Sequence, residues 1–262
     1  MNFGISSACF YPEYTENAVE FLSESKIPNI EIFFNSPSEL AIDYLKSLRE
    51  KLGQTKVVSV HPFTSIYEPY LFFSEYERRF YDGIKLYASY FKACEFLGAE
   101  YVILHGAVKG SKISEEEYFK RFEKLDLAAR EHGVRLLQEN VAPYKSASSE
   151  FISHMKQYLP DVGFVLDTKQ CVRANEDILN MAKVMGENIR HVHISDHTDE
   201  KDCVIPSFGN YDFNPLFEVL EGLKYDGAVL VEVYKDNYGE NSELIKGYNH
   251  LVSLFEKRGT EK

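Results

Sequence analysis

Residues 163–194 read GFVLDTKQCVRANEDILNMAKVMGENIRHVHI, and this stretch contains the repeating unit of the chain. The apolar runs Gly163–Asp167 and Ile189–Ile194 each have the length of a buried strand, and the segment between them has the length of a helical crossover. A strand, a helix and a second strand in this order form the unit from which parallel sheets are built. The stretch therefore predicts an α/β fold.

The same alternation of short apolar runs and longer amphipathic segments covers the whole chain. We predict eight strands, at residues 3–9, 29–34, 56–61, 101–105, 135–139, 163–167, 189–194 and 228–233. Eight units in 262 residues average about 33 residues each, close to the length of one strand with its returning helix. No linker or shift in composition divides the chain. We therefore expect one (β/α)8 TIM barrel domain over residues 1–262.

An open, doubly wound sheet is the alternative arrangement of alternating strands and helices. Such sheets normally carry a glycine-rich phosphate-binding turn after an early strand. Neither G-x-G-x-x-G nor G-x-x-x-x-G-K-[ST] occurs in the sequence. The longest irregular stretches, 62–74 and 195–215, each follow a strand, as the active-site loops of a barrel do. These features favour the closed barrel.

The composition is that of an ordinary globular protein, and it disfavours several classes of function. The formal net charge of −12 would repel the phosphate backbone of a nucleic acid. The four cysteines form no C-x-x-C pair, so a zinc ribbon and a dithiol redox motif are excluded. The N-terminus lacks the apolar stretch of a signal peptide, and no run of about 18 apolar residues occurs. We expect a cytoplasmic protein without a membrane segment.

In six of the predicted strands, an apolar run finishes on a side chain that can bind a metal ion or transfer a proton. These residues are His61, His105, Glu139, Asp167, His193 and Glu232. One polar residue at a strand end usually serves the local structure, so the prediction rests on the six together. In a barrel they would converge at one mouth, where a cation would offset the cost of burying the carboxylates. Oxygen and nitrogen ligands without a thiolate favour Mn²⁺, Mg²⁺, Co²⁺ or Zn²⁺.

The sequence around these strand ends resembles the xylose isomerase-like (β/α)8 barrels, a superfamily that includes sugar phosphate isomerases and epimerases and is related to endonuclease IV. The resemblance covers essentially the whole chain. It is carried by Leu137-Gln138-Glu139-Asn140, Leu166-Asp167-Thr168, His191-Val192-His193-Ile194-Ser195-Asp196, Gly209-Asn210-Tyr211-Asp212-Phe213 and Val231-Glu232-Val233. The resemblance implies that one divalent ion, with Mn²⁺ expected first, is held by Glu139, Asp167, His193 and Glu232.

Two departures from the superfamily pattern reduce the number of functions that the resemblance allows. The superfamily often has Asp-Thr-x-His on the sixth strand, whereas this chain has Gln170 in place of the histidine. Endonuclease IV-like members place an Asp and a His before the glycine-rich turn, and residues 201–209 contain no His. The ligand set of a three-metal nuclease is therefore incomplete, although His61, His105 and Glu139 could hold a second ion.

The resemblance implies proton transfer next to the carbonyl of a small sugar or polyol ketone, through a metal-stabilised enediolate. Glu139 and Glu232 are the expected acid/base pair, in either an epimerase or an aldose–ketose isomerase of carbohydrate metabolism. His61, His105 and Gln170 are candidates for contacts to substrate hydroxyl groups. Lys169 and Arg173 could meet a substrate phosphate, but they are equally ordinary as surface charges on a first helical turn.

Three other functions stay open on the same scaffold. The first is an endonuclease IV-like phosphodiesterase, which the acidic charge disfavours. The second is a metal-dependent dehydratase of the inosose or dehydroshikimate type. The third is a barrel that only binds a ligand, which the cost of unpaired buried carboxylates disfavours. The expected partner is a small-molecule sugar or polyol, with neither nucleic acid nor membrane, and a homo-oligomer stays open.

Overall fold

The computed structural model describes residues 1–260, and in this part of the chain eight parallel strands close into a barrel. The strands are β1 (Asn2–Ser6), β2 (Asn29–Phe33), β3 (Lys56–His61), β4 (Tyr101–Leu104), β5 (Arg135–Glu139), β6 (Gly163–Asp167), β7 (Ile189–Ile194) and β8 (Ala228–Val231). They follow sequence order around the ring, and β1 pairs with β8 to close it. The single-domain TIM barrel is confirmed, while the bounds 1–262 stay a prediction because residues 261 and 262 lie outside the described part.

Each strand is followed by one or two helices that cover the outside of the barrel. They are α1 (Thr15–Glu24), α2 (Ile42–Lys51), α3 (Glu68–Leu71), α4 (Glu77–Leu97), α5 (Glu115–Arg130), α6 (Ser149–Tyr158), α7 (Thr168–Ala174), α8 (Ile178–Met185), α9 (Asn214–Gly222) and α10 (Asn241–Thr260). Their buried faces pack on the strands in one large apolar core. Among residues 1–260, no helix is both long and apolar enough to cross a membrane.

Four strands end earlier than the sequence predicts. At β1 the chain turns after Ser6 into a 3-10 helix, Ser7–Phe10, and the Ser6 side chain accepts a hydrogen bond from the backbone N–H of Ala8. Strands β2, β4 and β8 end one or two residues before their predicted ends. His105 and Glu232 therefore lie just beyond their strands, at the rim of the barrel mouth.

The stretch 62–74 after β3 is held in place by a buried carboxylate. Glu68 Oε2 accepts hydrogen bonds from the backbone N–H groups of His105 at 2.8 Å and Gly106 at 2.7 Å, and Oε1 accepts one from the Tyr87 hydroxyl at 2.7 Å. Phe72 and Phe73 from the same stretch are buried in the core. Burial raises the pKa of Glu68 to about 7. This carboxyl group thereby positions the backbone that carries His105.

We expect Glu68→Ala to destabilise the protein by on the order of 2 to 5 kcal/mol, because two buried backbone N–H groups lose their acceptor. Glu68→Gln is the matched control, since its amide oxygen still accepts both bonds and its NH₂ group faces the Tyr87 hydroxyl. Denaturant unfolding of the three proteins at several pH values measures the difference. Equal stability of the two variants would contradict the role of Glu68.

The free energy of unfolding of the wild type is expected to depend on pH through Glu68. Because the folded-state pKa of Glu68 lies above its ordinary value of 4.5, the stability contributed by the protonated form is complete below pH 4.5 and is lost as the pH rises through about 7. Glu68→Gln carries no titratable group at this position. Its stability is therefore expected to vary less than that of the wild type between pH 5 and pH 8.

Candidate metal centre

Four candidate ligands from four neighbouring strand ends meet at the carboxyl end of the barrel. The parallel strands β5 to β8 deliver them, and the register places Asp167 opposite His193. One donor atom from each residue lies within 4.8 Å of the others, and all four side chains are buried. The residues brought together are Glu139, Asp167, His193 and Glu232. Their role as ligands stays a prediction.

Three atoms of this cluster are buried without a hydrogen bond: Glu139 Oε2, Asp167 Oδ2 and His193 Nδ1. His193 Nδ1 lies 3.3 Å from Glu232 Oε2 and 3.5 Å from Glu139 Oε1. Buried polar atoms are normally hydrogen-bonded, whereas these three have only charged neighbours, among them His105 Nε2 at 3.0 Å from Glu139 Oε2 and Lys169 Nζ at 3.1 Å from Asp167 Oδ2. Unbonded ligand atoms gathered in one cluster are what a metal ion would use. Three carboxylates and one imidazole are donors that suit a divalent ion such as Mn²⁺ or Zn²⁺. The residues present therefore fit a metal ion.

Burial and neighbouring charges act in opposite directions on the carboxyl groups. Burial alone would raise the pKa of Glu139, but the nearby imidazoles, His105 first, outweigh it and hold that pKa well below its ordinary value. At Asp167, burial raises the pKa to about 7; Glu139 and Glu232 add to the rise, while Lys169 opposes it. The negative charges of Glu139 and Glu232 therefore lie close enough to Asp167 to disfavour its ionised form.

The imidazole of His193 responds in the opposite sense. Burial alone would lower the pKa of His193, but the carboxylates of Glu232 and Glu31 outweigh it and raise that pKa well above its ordinary value. The same positive charge helps to hold the pKa of Glu232 below its ordinary value against the effect of burial. The acidic cluster thus draws positive charge to its centre.

Glu31 belongs to the site, although the sequence analysis did not select it. This carboxylate on β2 is fully buried, and its Oε2 lies 3.2 Å from His193 Nε2. It also accepts hydrogen bonds from the hydroxyl groups of Ser6 at 3.0 Å and Ser59 at 2.8 Å. Carboxylates commonly orient metal-binding histidines in this way. The available signal was one charge inside the apolar run Ile30-Glu31-Ile32.

Two further predicted residues, His61 and His105, lie beside the cluster. Their Nε2 atoms are 3.0 Å apart, and the Nε2 atom of His105 is also 3.0 Å from Glu139 Oε2. Together with Glu139 they form a second group of potential metal-binding side chains. Gln170 is buried nearby, and its Oε1 accepts a hydrogen bond from the backbone N–H of Ala142 at 3.1 Å. The side chain of Gln170 is thus partly committed to the protein itself.

The interpretation of Lys169 as an ordinary surface charge is wrong. Its side chain is buried, with Nζ 2.7 Å from Glu232 Oε2 and 3.1 Å from Asp167 Oδ2. Arg173, one helical turn further on, pairs with Asp202 and donates a hydrogen bond to the Tyr234 hydroxyl. Both cations are therefore engaged by partners within the protein.

A cavity of about 270 Å³ opens over the cluster. The aromatic side chains of Tyr11, Phe33 and Tyr234 form part of its wall. Its polar lining includes His61, His105, Glu139, Lys169, Gln170 and Glu232. All three predicted contacts to substrate hydroxyl groups thus border the same space as both predicted acid/base residues.

A closed parallel barrel with a buried group of carboxylates and imidazoles at its mouth defines a TIM barrel with a candidate metal centre. Residues 17–254 match the family model described as xylose isomerase-like TIM barrel. The chain belongs to this family, which confirms the resemblance seen in the sequence.

Solved structures show the same fold over 95% or more of the chain. A D-tagatose 3-epimerase-like protein superposes with a TM-score of 0.82 at 19% identity, covering 100% of this chain and 99% of its own. The IolI protein, solved with a bound zinc atom, superposes with a TM-score of 0.78 at 21% identity, covering 95% and 96%.

A similar sequence among curated proteins is an inosose dehydratase of Clostridium perfringens, 26% identical over 147 residues. The match covers 47% of this chain and 50% of that relative's length. The likeness is therefore confined to about half of each protein.

We expect Glu31→Gln to weaken the binding of Mn²⁺ or Zn²⁺ by about 10- to 100-fold, because the His193 ring loses the carboxylate that orients it. Glu39→Gln is the matched control, since Glu39 is also buried but bonds to Thr15 and to the backbone of Asn35. Calorimetric titration of the metal-free proteins measures the affinities. Equal affinity in Glu31→Gln and the wild type would refute the orienting role.

Proposed function

We propose that the protein is a divalent-metal-dependent sugar isomerase or epimerase that acts on a small sugar or polyol ketone. The observation that supports this most is the placement of Glu139 and Glu232. They come from β5 and the residue after β8, three strands apart around the ring, and both line the same cavity. A ketose between them would meet one carboxylate from each side, as two-base proton transfer requires.

The proposed chemistry divides between the metal ion and the protein. A divalent ion held by Glu139, Asp167, His193 and Glu232 would supply Lewis acidity that makes a proton next to a carbonyl easier to remove. One glutamate removes that proton, and a glutamate returns one, either to the opposite face in an epimerase or to the neighbouring carbon in an isomerase. The second ligand group, with His61 and His105, lies where it can bind hydroxyl groups.

The surroundings favour a neutral substrate of monosaccharide size. The cavity of about 270 Å³ is at the small end of ligand pockets, and its aromatic wall can stack on a sugar and exclude water. Arg173 is engaged by Asp202 and by the Tyr234 hydroxyl, so it is not offered to a phosphate. We therefore place unphosphorylated sugars or polyol ketones first in a substrate panel, and Mn²⁺ first among the metal ions.

A metal-dependent dehydratase is the second candidate function. It is favoured by the match of half the chain to an inosose dehydratase. The two reactions share their first step, since removal of the proton next to a carbonyl also begins the elimination of a neighbouring hydroxyl group. The mass of the product separates them, because a dehydratase loses water and an isomerase or epimerase does not. The nuclease alternative is disfavoured by the net charge of −12.

We expect Glu139→Gln and Glu232→Gln each to reduce turnover by at least about 10²- to 10⁴-fold, because an amide cannot transfer the proton. The direct measurement is exchange of a carbon-bound substrate proton with deuterium in D₂O, followed by NMR over a panel of ketoses. Glu100→Gln is the control, since Glu100 lies before β4 at the opposite end of the barrel and pairs with Lys56.

The outcomes bear on different parts of the proposal. Persistent exchange in either site variant would disprove the assignment of the acid/base pair. Absence of exchange in the wild type over the whole panel, with metal bound, would argue against an isomerase or epimerase. Loss of water from inosose would establish the dehydratase instead.

A further inference from the structure

The ammonium group of Lys169 contacts two of the four candidate metal ligands. Its Nζ lies 2.7 Å from Glu232 Oε2 and 3.1 Å from Asp167 Oδ2. Glu232 Oε2 is also the atom that lies 3.3 Å from His193 Nδ1, on the side where the ligands converge. The side chain of Lys169 is 4% exposed, so this contact is made away from bulk water. A protein cation and a metal ion would thus use the same carboxylate oxygens.

The local structure explains why the two cations meet at Asp167. Asp167 is the N-cap of α7, and its Oδ1 accepts a hydrogen bond from the backbone N–H of Gln170 at 2.9 Å. Only Oδ2 is left to face the cluster, where the Lys169 ammonium at 3.1 Å lies closer to it than the His193 imidazole at 3.9 Å. Because Lys169 lies in the first turn of the same helix, its ammonium reaches this one oxygen. A metal ion bound by Asp167 through Oδ2 would compete with it directly.

The ammonium group of Lys169 also lies beside the cavity and an aromatic ring. Lys169 lines the cavity, and its Nζ lies 4.9 Å from the centre of the Tyr234 ring, within the range of a cation–π contact. Because the Lys169 side chain is unbranched and borders the cavity, an ammonium group displaced from the carboxylates would have the cavity beside it. Repulsion between two cations at neighbouring positions in a poorly solvated site would favour this movement.

We propose that Lys169 is a resident counter-ion of the metal centre, which pairs with Asp167 and Glu232 when no ion is bound and turns into the cavity when a divalent ion binds. This inference rests on the metal binding in the proposed function, but not on which reaction follows. It makes Lys169 a residue that sets the affinity for the metal ion. The displaced ammonium group then faces whatever ligand occupies the cavity.

The test compares Lys169→Met with the wild type, because methionine keeps an unbranched side chain and removes the charge. Metal-free proteins are titrated with Mn²⁺ by calorimetry and by competition with a chelator. We expect Lys169→Met to bind Mn²⁺ at least about tenfold more tightly, since no internal cation has to be displaced. We also expect its metal-free form to unfold at a lower temperature and to regain stability with Mn²⁺. Lys112→Met, which removes an exposed lysine, should behave as the wild type.

A second measurement uses the wild type alone and does not depend on the folding of a variant. The protein is treated with an amine-acetylating reagent, with and without Mn²⁺, and each lysine is followed by mass spectrometry. Lys169 should be protected in the metal-free protein and become more reactive when Mn²⁺ is bound. The reactivity of Lys112 should not change.

The results separate this inference from the proposed function. Mn²⁺ binding that is equal or weaker in Lys169→Met, together with unchanged protection of Lys169, would overturn the role of Lys169 and leave the metal centre intact. Absence of Mn²⁺ binding in both proteins would overturn the metal centre and the inference together. Binding in Lys169→Met but not in the wild type would be the strongest form of the expected result.

Discussion

The concentration of buried negative charge at the mouth of the barrel is the constraint on which the rest of the site depends. Strands β5, β6 and β8 bring Glu139, Asp167 and Glu232 together where little water can solvate them. Isolated buried carboxylates are unfavourable, so positive groups must face them. In the protein itself this role falls to His193, whose pKa is raised well above its ordinary value, and to Lys169.

Two further buried carboxyl groups, Glu31 and Glu68, hold neighbouring parts of the site in position. Glu31 contacts the far nitrogen of His193, so the other nitrogen faces the carboxylates. Glu68 fixes the backbone at His105 and Gly106 where the chain leaves β4. Strand ends and buried hydrogen bonds thus hold the side chains of the cluster in position, the kind of support that a functional site needs. The same scaffold also suits elimination of water, so the family alone does not choose the reaction.

The fold and the main ligands could be predicted because they follow local patterns. Alternating apolar and amphipathic segments indicate the strands, and polar residues such as Asp167 at the end of an apolar run indicate the mouth. Glu31 was missed because it lies inside a strand, where only the closure of the barrel shows that it points toward His193. The burial of Lys169 against Asp167 and Glu232 was not predicted, because a long side chain on a first helical turn can face solvent or the interior, and the position of α7 decides between them. The predicted end of β4 was one residue too late, because the backbone N–H of His105 donates its hydrogen bond to the Glu68 side chain.

Anomalous X-ray diffraction from crystals of the protein soaked in Mn²⁺ tests the central claim most directly, because it locates the ion without reference to activity. The account predicts a manganese peak coordinated by Glu139, Asp167, His193 and Glu232, with the ammonium group of Lys169 turned away from Asp167 and Glu232. A map with no peak among these four residues at saturating Mn²⁺, or with manganese bound only elsewhere on the protein, would contradict it.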